Sequence, residues 1–394
     1  MKPEHLTAPR VMHALPGARY IAVILHDFST GGSERIAIRL ANRWASSGRK
    51  VTILSGVAAG PARTLVAANV TVRIASPELP RNPVSRFALG DAFARMIASD
   101  MPDLIFSPGN FHIPMVAALA RKLGRHRPAI VCKISNPLRQ PGRSGARQWL
   151  FDRLTRRTTR AVDAFVAMSA ALRDDAFAVL RRPEIALIYE PILDGPAAQD
   201  LRFGRSRRQP PLIVCAGRLE PQKHFTLAIR AFARIDPALG ARLLILGEGY
   251  ERTELEAEAK WLAVADRIEF GGHVADIRPA LASARLFLMS SRYEGYPAVL
   301  IEALAAGLPI VTTGCTPALG EIMVHPSFGR VTPPDADALA RAIEMVLDGP
   351  LPDAQATTDL LARHRIAEAA DHYLALFDDV VAALPTRDQR VPIC

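Results

Sequence analysis

The stretch "ARLFLMSSRYEGYPAVLIEALAAGLPIVTT", residues 284–313, contains the signals of a strand, a loop, a helix and a second strand. Pro297 suits the first helical position, because its missing N–H group has no partner to lose there. The helix continues to Gly307, which is typical of a C-terminal cap, and Pro309 lies beyond it. Since short apolar runs lie on both sides of the helix, the stretch predicts one β-α-β unit of a parallel sheet.

The same alternation of strand-like and helical patterns extends over most of the 394 residues. It starts with the apolar run Tyr20–Leu25, stops in a Gly-, Pro- and Arg-rich segment at residues 194–211, and restarts at Leu212–Gly217. A segment of that composition is typical of a linker. The sequence therefore predicts an α/β fold of two Rossmann-like domains with an interdomain cleft, where ligands bind beyond the carboxyl ends of the strands. The predicted limits are residues 1–195 for the first domain, 196–363 for the second domain and 364–394 for a closing helical segment.

The composition is that of a globular protein, because 49% of the residues are hydrophobic and 22% are charged. No apolar run reaches the roughly 18 residues that a membrane-spanning helix needs. Charged residues, His and Pro interrupt the N-terminal segment, so no signal peptide is expected. No spacing of His, Cys, Asp or Glu indicates a metal site. The sequence thus predicts a cytoplasmic protein with scattered, reduced cysteines, at Cys132, Cys215, Cys315 and Cys394.

The formal net charge is +10, and residues 139–160 are rich in Arg, with one Asp and no Glu. Such a segment favours a membrane face, a nucleic acid or a polyanionic substrate, although a solvated helix face also explains it. No nucleic-acid motif accompanies the arginines, so nucleic acid is not expected as a partner. Because Trp149, Leu150 and Leu154 lie within the segment, peripheral contact with an anionic membrane is the more specific interpretation.

Two glutamates flank the start of the helix in residues 284–313. The free N–H groups of Ala298, Val299 and Leu300 form the positive end of that helix, which is a ready site for phosphate. Glu302 lies one turn further on, among small residues that leave space for a ligand, and its carboxylate suits ribose hydroxyls. Glu294 lies in the loop after a strand, where α/β folds place function. Either glutamate alone could be a solvated surface residue, but together they favour a binding site.

Three further loops follow predicted strands. Arg218 and Lys223, in "CAGRLEPQKHF", are spaced so that both can bind a diphosphate. Gly31 and Gly32, in "FSTGGSERIAI", allow the backbone to approach a ligand at a helix N-terminus, although a plain turn is the alternative. The pattern is not the dinucleotide fingerprint, which disfavours NAD. His112 follows a first-domain strand and is a candidate for the cleft, with a core or surface histidine as the alternative.

With these motifs, the sequence resembles the retaining glycosyltransferases of family 4, which have the two-domain GT-B fold. The resemblance covers most of residues 20–380 and is strongest over residues 212–348. Its most specific parts are the E-x7-E pair Glu294/Glu302, the "GRLEPQK" loop and the segment "LGEGYERTELE".

The resemblance implies a role for each matching residue of the second domain. Arg218 and Lys223 would bind and neutralise the diphosphate of the sugar donor, and both are catalytic candidates with Glu294. Glu302 would bind the ribose, and the backbone at Ala298–Leu300 would reach the phosphates. Glu294 would contact the transferred sugar near the reacting centre.

Other roles follow from the same resemblance. Gly32, with Gly31, would approach the donor from the first domain, and the loop of Val274 would hold the nucleobase. Tyr296, inside the "EGYP" motif, is a further donor-binding candidate. His112 is an acceptor-side candidate. The family fold returns its last helix to the first domain.

The sequence departs from the family at two positions. Glu190 and His224 stand where relatives often have Asn. Neither substitution removes a group predicted to bind the donor.

The implied activity is a metal-independent transfer, with retained configuration, of a hexose or N-acetylhexosamine from a nucleoside diphosphate sugar. UDP is the expected nucleotide, the donor is a substrate, and no cofactor is expected. The acceptor would be a glycan or a lipid-linked glycan of cell-envelope, lipopolysaccharide or exopolysaccharide biosynthesis, on the inner face of the cytoplasmic membrane. The alternatives are an epimerase or phosphorylase of the same fold, a non-catalytic nucleotide-sugar-binding scaffold, and a basic nucleic-acid-binding protein.

Overall fold

The computed structural model of the chain describes residues 17–385, except for 30, 83, 140–144, 183, 195–209 and 275. Most of the predicted linker at residues 194–211 therefore lies outside the described residues, as does Cys394. The described residues form two parallel sheets with helices on their faces, which confirms the predicted α/β class.

The first sheet has seven parallel strands in the order β3-β2-β1-β4-β5-β6-β7. Its strands are β1 (Tyr20–Leu25), β2 (Lys50–Ser55), β3 (Thr71–Ile74), β4 (Leu104–Ser107), β5 (Ala129–Ile134), β6 (Ala164–Ala167) and β7 (Ile185–Leu187). Its helices are α1 (Gly32–Ser46), α2 (Ser85–Ile97), α3 (Ile113–Leu123), α4 (Gly145–Thr158) and α5 (Ala170–Leu180). Every residue of β1 is buried, as expected for a parallel strand that is covered on both faces.

The second sheet has six parallel strands in the order β10-β9-β8-β11-β12-β13. Its strands are β8 (Leu212–Ala216), β9 (Arg242–Leu246), β10 (Ile268–Gly272), β11 (Leu286–Met289), β12 (Ile310–Thr313) and β13 (Gly329–Thr332). The helices that follow β8 along the chain are α6 (Phe225–Phe232), α7 (Arg252–Trp261), α8 (Arg278–Ser283), α9 (Ala298–Ala305), α10 (Leu319–Ile322), α11 (Ala336–Asp348) and α12 (Ala354–Ala362).

The predicted β-α-β unit is β11, α9 and β12, with one correction at its start. Pro297 caps α9 instead of occupying the first helical position. Its φ of −79° suits the proline ring, but its ψ of 80° lies outside the helix. At the other end Gly307 has a φ of +69°, and its N–H donates to the carbonyl of Leu304, as expected of a glycine that ends a helix.

A last helix, α13 (Ile366–Ala383), returns to the first domain, which confirms that part of the predicted fold. The rings of Tyr373 and Phe377 on this helix pack against Trp44 and Phe106, with the Trp44 and Phe377 ring centroids 5.0 Å apart. All four side chains are fully buried. The domain limits themselves stay predictions.

Both sheets reverse their strand order at one point, between β1 and β4 in the first sheet and between β8 and β11 in the second. In open parallel sheets a ligand binds in the crevice at this point, beyond the carboxyl ends of the strands. The loops after β1, β4, β8 and β11 are therefore where the fold places a site.

Candidate active site

The loops after β8 and β11 are joined by an ion pair between two predicted site residues. The Nζ atom of Lys223 donates to Oε1 of Glu294 at 2.6 Å, and the hydroxyl of Ser291 donates to the same oxygen at 2.7 Å. Glu294 is 9% exposed, so the two charges lie largely out of water. The fold thus brings together two candidates that are 71 positions apart in the sequence.

Gly217, at the end of β8, lets Lys223 reach this carboxylate. The side chain of Lys223 lies over Gly217, and a Cβ atom at that position would stand 3.0 Å from Cε of the lysine. The φ of Gly217 is +155°, a backbone conformation that residues with a side chain rarely adopt. The backbone of Lys223 is also held, because the hydroxyl of Ser290 donates to its carbonyl oxygen at 3.0 Å.

Arg218, the other predicted diphosphate ligand, is paired with a different carboxylate. Its guanidinium donates to Oε1 of Glu220 at 2.8 Å, and two thirds of its side chain is exposed. Arg218 and Lys223 therefore have different carboxylate partners. A diphosphate that bound both cations would compete with Glu220 for Arg218 and with Glu294 for Lys223.

Glu302 lies in α9 at the junction of the two domains. Burial raises the pKa of its carboxyl group above the usual range, and the positive charges of Arg35 and Arg39 oppose that shift. Both arginines belong to α1, so a first-domain helix approaches a predicted second-domain ligand. Three other residues of α9 are partly buried and pack against the hydrophobic core: Ala298, Val299 and Ala305.

The start of α1 forms the first-domain side of the site. Gly31 is its N-cap residue, and no side chain caps the first turn among the described residues. A Cβ atom at Gly32 would meet nothing within 4 Å in that part of the chain. The backbone at Gly32 therefore has free space beside it, and its contact with a donor stays a prediction.

The two domains touch at Gly295, next to Glu294. A Cβ atom at Gly295 would overlap the carbonyl oxygen of Ser135, in the loop after β5. Ser135 is linked in turn to the loop after β4, since its hydroxyl accepts from the N–H of Asn110 at 3.2 Å. Loops from both sheets thus meet around the Lys223 and Glu294 pair.

His112 is 1% exposed, and neither ring nitrogen has a hydrogen-bond partner among the described residues. Burial, together with the charges of Arg81 and His26, lowers its pKa to about 3, so the ring is neutral at pH 7. The structure thus places this candidate inside the first domain. A contact with the acceptor stays a prediction.

A polar cluster beside His112 was not found by sequence reasoning. Arg81 donates to Asp27 at 2.8 Å and to Glu34 at 3.0 Å, and Nε2 of His26 lies 2.7 Å from the hydroxyl of Ser85. Burial alone would raise the pKa of Asp27, but hydrogen bonds from His26 and Arg81 lower it well below the usual range. The position of Asp27 just after β1 was the one available signal.

Two other candidates have buried surroundings. The hydroxyl of Tyr296 lies 3.1 Å from Nε2 of His364, so the proton of that hydroxyl already has a partner within the protein. Val274 is partly buried against the core of its domain. Donor contacts of both residues stay predictions.

The described part of the chain contains no group of three or more His, Cys, Asp or Glu side chains that could hold a metal ion. The described residues instead place Lys223 against Glu294, four residues before the N-terminus of α9. Fixed positive groups of this kind stabilise negative charge that develops on a leaving group.

Two family models match the chain. A model described as Glycosyl transferase 4-like domain matches residues 31–190, and one described as Glycosyl transferases group 1 matches residues 210–349. Together they span most of both sheets and the predicted donor-binding loops.

Three known proteins illustrate the similarity. The lipopolysaccharide core biosynthesis glycosyltransferase LpsE of Rhizobium meliloti is 35% identical over 137 residues, which are 35% of this chain and 39% of LpsE. A Campylobacter jejuni protein, named GalNAc-alpha-(1->4)-GalNAc-alpha-(1->3)-diNAcBac-PP-undecaprenol alpha-1,4-N-acetyl-D-galactosaminyltransferase, is 24% identical over 337 residues, 83% of this chain and 89% of that protein. The crystal structure of Anabaena HepE in complex with UDP and glucose has a TM-score of 0.67 at 19% identity, covering 93% of this chain and 98% of HepE. The likeness to HepE shows a shared fold, and the chain spans less than two thirds of the length of LpsE.

The buried state of His112 predicts a pH dependence of stability. An unfolded histidine gains its proton near the usual pKa of 6.5, whereas folded His112 stays neutral down to about 3. Below pH 6.5 the unfolded chain therefore binds one more proton at this residue, and the free energy of unfolding falls as the pH falls. At about 1.4 kcal/mol per pH unit, the loss between pH 7 and pH 5 is about 2 kcal/mol.

Urea denaturation of wild type and His112→Leu at both pH values measures this effect. The variant lacks the titrating group, so its stability relative to wild type should rise by about 2 kcal/mol on going from pH 7 to pH 5. Parallel pH profiles for the two proteins would contradict the assignment of a neutral, buried His112.

Proposed function

Since the chain belongs to the glycosyltransferases of group 1 and has the GT-B fold, we propose that it transfers a hexose or N-acetylhexosamine from a nucleoside diphosphate sugar. The transfer retains the anomeric configuration and needs no metal ion. The acceptor is a glycan or lipid-linked glycan of envelope or exopolysaccharide biosynthesis.

The observation that carries this proposal is the Lys223 and Glu294 pair at the point where the second sheet reverses its order. A diphosphate placed beyond β8 and β11 would lie within reach of Lys223, Arg218 and the N–H groups at the start of α9. These groups would stabilise the charge on the departing diphosphate. Glu294 would then be released to orient the transferred sugar, with Glu302 on the ribose.

UDP is the proposed nucleotide. HepE, which shares the fold, was crystallised with UDP and glucose, and the Campylobacter relative is named for an N-acetylgalactosamine transfer. The loop of Val274 and the open backbone at Gly32 are the proposed walls around the nucleotide.

The proposed acceptor side is the first domain, with His112 near the cleft, at an anionic membrane surface. The Campylobacter relative is named for an undecaprenol-linked acceptor. Trp149, Leu150 and Leu154 on α4 are each more than half exposed, and Arg153 of the same helix stacks over Trp149 at 5.8 Å. Exposed apolar side chains beside arginines suit an anionic lipid interface. No helix of the described residues has the length and apolar character needed to cross a membrane.

Donor binding is tested by thermal melting of wild type and Glu302→Ala with UDP, GDP, ADP, NAD and a short RNA. UDP should raise the melting temperature of wild type, since a ligand at 100 times its Kd adds about 2.7 kcal/mol to stability. Glu302→Ala should lose most of that shift because the ribose contact is absent.

The matched control is Glu254→Ala, which removes an exposed glutamate from α7 and should keep the full UDP shift. A shift with RNA alone, or no shift with any diphosphate, would contradict the proposed donor site. An unchanged UDP shift in Glu302→Ala would remove the role of that residue.

Membrane attachment is tested by flotation with vesicles that contain phosphatidylglycerol and with vesicles of phosphatidylcholine alone. Wild type should float with the anionic vesicles, and Trp149→Ala should float several-fold less because α4 loses its largest exposed apolar group. Trp261→Ala, which removes a 77% exposed tryptophan from α7 of the second domain, is the matched control. Equal binding to neutral vesicles, or full binding by Trp149→Ala, would contradict the proposed attachment of α4 to an anionic membrane.

A further inference from the structure

A buried histidine outside the predicted site lies where the chain returns to the first domain. His364 is fully buried between α12 and α13. Its carbonyl oxygen accepts from the N–H groups of Ile192 and Leu193, both at 2.9 Å. Leu193 also forms a bridge with Arg365, so the two segments that join the domains are bonded to each other.

The contacts of the His364 ring determine which nitrogen bears the proton. Nδ1 lies 2.9 Å from the carbonyl oxygen of Glu190, which can only accept a hydrogen bond, so Nδ1 is protonated. Burial lowers the pKa of His364 to about 4, and the ring is therefore neutral at pH 7. Nε2 then has a free lone pair, and the hydroxyl of Tyr296 donates to it at 3.1 Å.

The residue that accepts from His364 is anchored in the first sheet. The carboxylate of Glu190 accepts two hydrogen bonds from Nζ of Lys133, each of 2.8 Å, and Lys133 is fully buried at the end of β5. A buried pair of this kind holds one geometry because either charge alone would be strongly destabilising. The contacts from Lys133 through Glu190 and His364 thus reach Tyr296 in the second domain.

Tyr296 is two residues after Glu294 and precedes the cap of α9. The backbone just before Tyr296 is held within the second domain. The N–H of Glu294 donates to the carbonyl of Cys315, and the hydroxyl of Thr316 donates to the carbonyl of Gly295. The Tyr296 hydroxyl adds a tie from this loop to the segment that joins the domains.

We propose that His364 is a positioning residue, which acts through Tyr296 to set Glu294 and the start of α9 relative to the first domain. His364 touches no substrate in this role. The inference rests on the proposed function for its kinetic consequence, but the link between His364 and the loop stands on the contacts alone. Two apolar side chains could fill the same space, but they would not fix the orientation of the Tyr296 side chain. The hydrogen bond between Tyr296 and His364 fixes that orientation.

Three variants isolate the contact. His364→Asn keeps a donor for the Glu190 carbonyl but offers no acceptor to Tyr296, and His364→Gln places an acceptor near the position of Nε2. Tyr296→Phe removes the hydroxyl only. Tyr373→Phe is the matched control, because the hydroxyl of that buried tyrosine has no partner among the described residues.

The first measurement is hydrogen exchange of peptides that cover residues 291–300, which requires no assumption about the reaction. Exchange should be several-fold faster in Tyr296→Phe and His364→Asn, near wild type in His364→Gln, and unchanged in Tyr373→Phe. Wild-type exchange in Tyr296→Phe and His364→Asn would overturn the proposal, whatever the protein catalyses.

The second measurement is the steady-state kinetics of sugar transfer from a UDP-sugar. Tyr296→Phe and His364→Asn should each lower kcat about 10-fold, since small displacements of reacting groups are costly, with KM for the donor changed less than threefold. The double variant should be no slower than either single variant, because both remove the same contact. Losses that multiply in the double variant, or an equal loss in Tyr373→Phe, would overturn the positioning role. An inactive wild type would instead refute the proposed function and leave the exchange result to decide on the link.

Discussion

The ion pair between Lys223 and Glu294 is the interaction on which the rest of the site depends. It joins the loops after two neighbouring strands, β8 and β11, at the point where ligands bind in such sheets. Because Glu294 is largely buried, neither charge can be left without a partner at small cost. A ligand that takes Lys223 from Glu294 must therefore bring its own negative charge. In the proposed function a diphosphate would supply that charge, and the carboxylate would then face the transferred sugar.

The relative position of the two domains is the second constraint. Gly295 lies against Ser135 of the first domain, so the loop that contains Glu294 is held from across the cleft. α13 fixes the returning chain to the first domain through the packing of Tyr373 and Phe377. His364 lies in the segment that joins the domains, between these contacts. Its hydrogen bond with Tyr296 connects that segment to the loop that contains Glu294. The geometry of the site thus depends on how the domains meet as much as on either sheet.

The alternation of patterns predicted the two sheets and α9, because Pro297 and Gly307 mark the ends of a helix by local rules. The pairing of Lys223 with Glu294 could not be predicted in the same way, since it requires β8 and β11 to be neighbours in the sheet. The contact of Arg81 with Asp27 was missed for the same reason, as 54 positions separate the two residues. The sequence also did not indicate that the hydroxyl of Tyr296 would be bound to His364, since that contact depends on the return of the chain to the first domain.

The exchange of Lys223 from Glu294 to a diphosphate is tested most directly by calorimetric titration of UDP into wild type, Glu294→Gln and Lys223→Met at constant ionic strength. UDP lacks the transferred sugar, so Glu294 can affect its binding only through charge, by competing for Lys223 and by repelling the diphosphate. Glu294→Gln should bind UDP several-fold more tightly than wild type. Lys223→Met should bind it at least about 10-fold more weakly, as expected for the loss of a charged hydrogen bond of about 1.5–3 kcal/mol. Unchanged or weaker binding by Glu294→Gln, or wild-type binding by Lys223→Met, would contradict the transfer of Lys223 from Glu294 to the diphosphate.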